Sequence, residues 1–152
     1  MLTVTRRSLL SGDFEVREGT APVGEFSLSR VGEHTELRVG LDLYDARRIG
    51  WINAGFVLKR HDREIAHAKP SGIFRRSYEI HSDRLIATLK PRGVFRSDYG
   101  LFNGDAEIGS VKRVGFWRST VQASFSPVVD RPIQIWLLWI ATILWRRAAA
   151  AS

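Results

Sequence analysis

Between Arg131 and Arg146 lie 14 residues, Pro132 to Trp145 (PIQIWLLWIATILW), in which Gln134 and Thr142 are the only polar side chains, so a helix formed from them has no polar face. At about 1.5 Å per residue that helix is roughly 21 Å long, whereas a bilayer core is about 30 Å thick and takes about 20 apolar residues. The run is short for a membrane span. It must nevertheless be enclosed, by lipid or by protein, and the preceding residues indicate which.

Three preceding segments align almost without gaps: Ile65–Ile80 (IAHAKPSGIFRRSYEI), Ile86–Leu101 (IATLKPRGVFRSDYGL) and Ile108–Ala123 (IGSVKRVGFWRSTVQA). One column holds Lys69, Lys90 and Lys112, another Gly72, Gly93 and Gly115, a third Phe74, Phe95 and Trp117, and a fourth Arg75, Arg96 and Arg118, at offsets of 21 and then 22 residues. Such a period marks a repeated supersecondary unit. The unit is a hairpin, with an aromatic residue opening a strand and a β-branched residue plus a small one on the return strand. Phe14 leads to Val23-Gly24, Phe56 to Ile65-Ala66, Tyr78 to Ile86-Ala87 and Tyr99 to Ile108-Gly109. Between them stand polar turns at Gly19-Thr20, His61-Asp62, Ser82-Asp83 and Asn103-Gly104-Asp105, where residues that tolerate positive φ are favoured. A divergent hairpin over Thr35–Ile52 fills the gap between the first two units. With Leu2–Leu10 in front and Ser119–Phe125 behind, the pattern predicts about 12 strands, an antiparallel sandwich or barrel.

Period-two alternation places Leu85, Ala87 and Leu89 on one side of their strand, and Gly109 and Val111 on one side of theirs, leaving Lys90 and Lys112 opposite. On the strands that follow the repeated glycines, Phe74, Arg76, Tyr78 and Ile80 share a side, as do Phe95, Ser97, Tyr99 and Leu101. The small inward residues Gly24, Ala66, Ala87 and Gly109 leave room at the centre. A closed sheet of this size is wider than its own side chains can fill, and the apolar run is the filler this sequence offers. The expected fold is thus a mainly β, closed antiparallel barrel around a central hydrophobic helix over 131–147, with Trp136, Trp139, Ile140, Ile143 and Trp145 in the core. Asp130 is placed to cap the helix and Pro132 to occupy its first turn. The Thr142 hydroxyl can bond a carbonyl one turn back, and Arg146 and Arg147 suit the C-terminus. Residues 148–152 (AAAAS) are expected to be disordered.

The hairpins GIFRRSYEI–HSDR–LIATL, the opening FEVREGTAPVGEFSLSR and the final WLLWIATILWRR together resemble the tubby C-terminal-like superfamily, which includes tubby, the LURP-one-related proteins and the phospholipid scramblases, and they look most like its small bacterial members. The resemblance covers nearly the whole chain. It implies a 12-stranded closed barrel around a central C-terminal helix, and it brings no catalytic signature. Tubby binds phosphoinositides through basic residues on its barrel surface, but no local motif here matches that site, so no residue role is carried over.

At 152 residues one domain is expected. The absence of cysteine excludes disulfides and thiolate chemistry. No apolar run near the start reads as a signal peptide, and a cytoplasmic, membrane-peripheral location is expected. The formal charge of +7, carried mostly by arginine, favours anionic partners. No nucleophile motif or phosphate loop is present. His34, His61, His67 and His81 are read at or near turns and strand ends, without metal spacing, and no cofactor or enzymatic activity is expected. The candidate ligand-binding set is Lys69, Arg75, Lys90, Arg96, Lys112 and Arg118 on the outer face, suited to phosphate oxygens or anionic headgroups. The expectation is a non-enzymatic module binding an acidic phospholipid, a phosphoinositide or a protein partner. The alternative is a tail-anchored or scramblase-like protein with residues 133–145 in the bilayer. Nucleic acid is disfavoured, because alternation turns the rings inward where they cannot stack on bases.

Overall fold

A computed structural model describes residues 1–7, 12–28, 33–50, 54–71, 77–92, 98–114 and 120–151. Twelve strands precede a single helix. They are β1 (Leu2–Arg6), β2 (Asp13–Glu18), β3 (Ala21–Ser27), β4 (His34–Val39), β5 (Asp42–Ile49), β6 (Gly55–Arg60), β7 (Arg63–Pro70), β8 (Tyr78–Ser82), β9 (Ile86–Pro91), β10 (Tyr99–Asn103), β11 (Ala106–Val114) and β12 (Thr120–Phe125), followed by α1 (Arg131–Ala150). Each strand pairs antiparallel with its sequence neighbour, and β1 closes onto β12 from Leu2↔Ala123 to Val4↔Val121. Closure leaves no free sheet edge, which is how an all-β chain of this length avoids edge-to-edge pairing.

The barrel has two unlike ends. Connections from even to odd strands are tight turns. Gly19, Gly40 and Gly104 each sit at φ 62°, and His61 and Asp62 adopt φ 52° and 62°, a left-handed pair that matches the twist of a two-residue hairpin. The strand ends that lead from odd to even strands are at the opposite end, separated by longer stretches of sequence.

The repeated β-branched and small pair has a structural meaning that alternation alone did not show. Register shifts occur at Val16/Arg17, Leu58/Lys59 and Leu101/Phe102, and the residues passed over on the return strands are Val23, Ile65 and Ile108. Each is the extra residue of a bulge, partly buried and packed against the core. The β8–β9 hairpin pairs without a shift. Ile86, which occupies the same sequence column, accordingly faces outward and is 64% exposed.

Residues 133–141 and 143–145 of α1 are all buried. At about 100° per residue these positions point in every direction around the helix, so protein surrounds it on all sides. It packs inside the barrel against inward residues of the strands. Trp139 meets Phe56 edge-on at 5.6 Å between centroids, and Trp145 lies 6.0 Å from Tyr99. A Cβ on Gly24 would stand 2.4 Å from Ile135 Cδ1 and 2.7 Å from the Arg38 carbonyl oxygen, so this small residue permits the helix to approach the wall. At Gly109 a Cβ would meet the Phe125 ring instead, at 2.5 Å, so that glycine serves strand packing rather than the helix.

The ends of α1 differ in detail from expectation. Asp130 makes no side-chain cap bond among the described residues. Gln134 Nε2 instead donates to the Val129 carbonyl at 2.7 Å, and Arg131 Nη1 donates to Gln134 Oε1 at 3.2 Å. The helix also continues through Ala148 and Ala149 to Ala150, past the expected limit at 147, as the high helix propensity of alanine favours. Pro132 lies in the first turn and the Thr142 hydroxyl donates to Leu138 O at 2.8 Å, both as expected. Arg131 pairs with Glu18 at the tight-turn end, and Arg147 pairs with Glu33 at the other. No helix of the described residues is long and apolar enough to cross a membrane.

Candidate functional site

Hairpin alternation places Lys69 on β7, Lys90 on β9 and Lys112 on β11, all exposed on the outer face and all near the long-connection end. Arg75, Arg96 and Arg118 lie outside the described residues, as do the repeated glycines and the aromatic residues Phe74, Phe95 and Trp117. The three lysines occupy alternate strands rather than neighbouring ones. Lys69 faces Glu79 of β8, which faces Thr88 of β9, and Lys90 is two residues farther along β9. Lys90 faces Gly100, which faces Ser110 of β11, and Lys112 is again two residues farther on. Two strand widths and a two-residue offset separate successive lysines by about 12 Å.

Each lysine has a different setting. Lys69 Nζ is 3.9 Å from Glu79, an exposed pair. Lys90 Nζ stands 4.6 Å above the centroid of Phe102. Alternation after the buried Leu101 turns Phe102 outward, and its ring lies over Gly100, where a Cβ would sit 2.6 Å from Phe102 Cε2. Arg92 borders the same spot and pairs with Glu107 at 3.3 Å. Phe102 was not among the residues singled out from sequence; a glycine two residues ahead of an aromatic on the same face of the strand is the signal that could have found it. Lys112 faces Gln122.

Lys69, Lys90, Arg92, Lys112, Arg113, Arg47 and Arg48 lie at or near the long-connection ends of their strands, where Arg146 and Arg147 also end the helix. The tight-turn end carries both signs: Asp42, Asp62, Asp83, Asp105 and Glu107 lie in or beside the turns together with Arg38, Lys59, Arg60, Arg63 and Arg84. Some of the positive charge is internally matched. Arg147 donates to Glu33 through Nε at 3.0 Å and stacks 5.3 Å from the Phe56 centroid. Burial disfavours its charge, but the Glu33 hydrogen bond and charge, with Tyr78, raise its pKa above the ordinary arginine value.

Among the other cavities, one of about 350 Å³ opens where β3 and β4 pair through only Gly24↔Val39 and Glu25↔Arg38. Beyond that point Thr35 Oγ1 accepts from the Ser27 N–H at 3.0 Å, and Asp13, Glu25, Glu36 and Arg7 rim the opening. No described group of three or more histidine, aspartate or glutamate side chains could hold a metal ion.

Comparison with family models, curated proteins and solved structures gives no match.

Near this cavity His34 Nε2 lies 2.5 Å from Asp45, which also accepts from Arg47 at 2.8 Å. Burial raises the Asp45 pKa, yet the Arg47 and His34 hydrogen bonds outweigh it and hold the carboxyl below 3.8. A carboxylate depressed on folding contributes stability above its unfolded pKa and loses it as pH falls through the folded value. We therefore expect Asp45→Asn to be less stable than wild type at pH 7 by no more than about 1 kcal/mol. In urea titrations at stepped pH, the difference should shrink towards zero below about pH 4.

Proposed function

We propose that this barrel is a non-enzymatic binding module whose outer face, from β7 to β11, docks on an anionic lipid surface. One observation carries the reading: Lys69, Lys90 and Lys112, which repeat on alternate strands, are all exposed on the outer face towards the same end of the barrel. A backbone spacing of about 12 Å suits contact with several headgroups in a plane. The aromatic seat of Lys90 on Phe102 adds an amphipathic contact of a kind used at membrane interfaces. The tubby-like resemblance points the same way. A protein with an acidic face is the nearest competing partner, since the same charges would steer it.

Flotation with vesicles of phosphatidylcholine, with and without phosphatidylserine or a phosphoinositide, tests this. Wild type should float only with the anionic vesicles. Replacing Lys69, Lys90 and Lys112 together by alanine should weaken binding about 100-fold, at about 1 kcal/mol per lysine near a charged surface. Recovery that is unchanged by lipid charge would rule the reading out.

The second reading places residues 133–145 in the bilayer. It is disfavoured by the burial of those residues inside the barrel, which the helix would have to leave.

A further inference from the structure

Among the described residues the seam between β3 and β4 is the shortest in the barrel: it pairs Gly24 with Val39 and Glu25 with Arg38, and then the strands part. Continued in register, the ladder would set Ser27 opposite Glu36 as a pair exchanging two backbone hydrogen bonds. Instead the Ser27 N–H donates to Thr35 Oγ1 at 3.0 Å, and that hydroxyl donates to the Glu36 carbonyl at 3.3 Å. A buried threonine hydroxyl thus stands where a direct ladder bond would run. The N–H and C=O of an extended residue point the same way, so the Ser27 carbonyl and the Glu36 N–H also face the opening. Backbone groups parted from their ladder need other partners.

The cavity of about 350 Å³ fills this parting, a volume within the range of about 300–1,000 Å³ usual for ligand pockets. Phe14 and Phe26, stacked 5.3 Å apart between centroids, form its floor. Its rim carries Asp13, Glu25 and Glu36 against one arginine, Arg7, and His34, which is held by Asp45. In a chain of formal charge +7 this opening is locally acidic and rich in acceptors. Glu25 is matched by Arg7 at 2.8 Å and Arg38 at 3.3 Å, and Asp13 accepts from the Ser27 hydroxyl at 2.7 Å. Glu36 is exposed and has no ion pair among the described residues. We propose that the parting of β3 and β4 binds an organic cation through a guanidinium group. A guanidinium offers five N–H donors in a planar fork and no acceptor, which matches the Ser27 carbonyl and the Glu36 carboxylate, and its flat face suits an aromatic floor. Arg7 holds the same group against Glu25 on one side of the opening, leaving Glu36 for a second. This site is separate from the β7–β11 face and does not rest on the anionic-surface reading.

The group is common to free alkylguanidines and to arginine side chains of peptides, and two probes separate these sources. Amide resonances of the ¹⁵N-labelled protein are followed during titration with n-butylguanidinium and, separately, with Nα-acetyl-arginine methylamide. Both should give saturable shifts centred on Ser27, Thr35 and Glu36, with Kd below about 10 mM. Tighter binding of the blocked arginine assigns the site to a peptide, and tighter binding of the alkylguanidinium to a free compound. Glu36→Gln should weaken binding about ten-fold, while Glu64→Gln, which removes an exposed carboxylate on β7, should leave it unchanged. The absence of saturable shifts, or equal weakening by the two variants, overturns the proposal. The same shifts from n-butanol also overturn it, since the opening would then take apolar matter without regard to charge.

Discussion

Truncation after Pro127 should abolish the folded state. Without α1 the barrel keeps twelve strands whose inward side chains, among them Leu37, Phe56, Leu58, Ile80, Leu89 and Leu101, are at most 1% exposed in the intact protein. Removing the helix would expose them to a void wide enough for water, because a closed sheet of this strand number cannot collapse on itself. A void left by a single large side chain already costs several kcal/mol, and net stabilities of single domains are about 5–15 kcal/mol. The truncated chain should therefore show no cooperative thermal transition, bind hydrophobic dyes and aggregate. A soluble truncation product with a sharp transition would mean that the barrel does not need its filling, and would revive the bilayer reading of residues 133–145.

Replacing Trp139 by alanine should be the most damaging of the single substitutions considered, at about 3–5 kcal/mol. Trp139 is 1% exposed and lies midway along α1, where strands surround it and no opening lets the wall relax. Its edge contact with Phe56 is lost as well. In a chain of this size the loss corresponds to a fall in Tm of roughly 6–20 °C. Trp145, near the end of the helix and 6% exposed, provides the comparison. Its replacement by alanine should cost less, because water can reach the vacated space. Equal losses at the two positions in calorimetry would show that the barrel interior is not graded from centre to mouth.

Much of this architecture was legible before any coordinates, for identifiable reasons. Tight turns demand residues that accept positive φ, and Gly19, His61-Asp62 and Gly104 stood where the spacing required them. A helix with no polar face needs enclosure, and small inward residues such as Gly24 marked where it would press on the wall. The bulges were not legible, because Val23, Ile65, Ile86 and Ile108 look alike in sequence and differ only in whether their hairpin carries an extra residue. The helix start misled for a related reason. Asp130 has the right chemistry for a cap, but Gln134 reaches back to Val129 and takes over the local hydrogen bonding.

The candidate site was harder to read. Column alignment identifies the residues that repeat, and so returned Lys69, Lys90 and Lys112, but it cannot show what lies across the strand. Phe102 under Lys90 and the stacking of His67, which lies in mid-strand rather than near a turn, on His81 of β8 depend on register, which is set by the turns and bulges rather than by the residues themselves.

The position of α1 in chain order also bears on biogenesis. A ribosome delivers all twelve strands before it delivers the helix that fills them, and β1 must wait for β12 before the wall can close. Neighbouring strands can pair as they emerge, but their apolar inner faces stay uncovered until the helix is made. If the truncated chain fails to fold as expected, the tryptophans of α1 are what turn a string of paired hairpins into a closed, filled barrel.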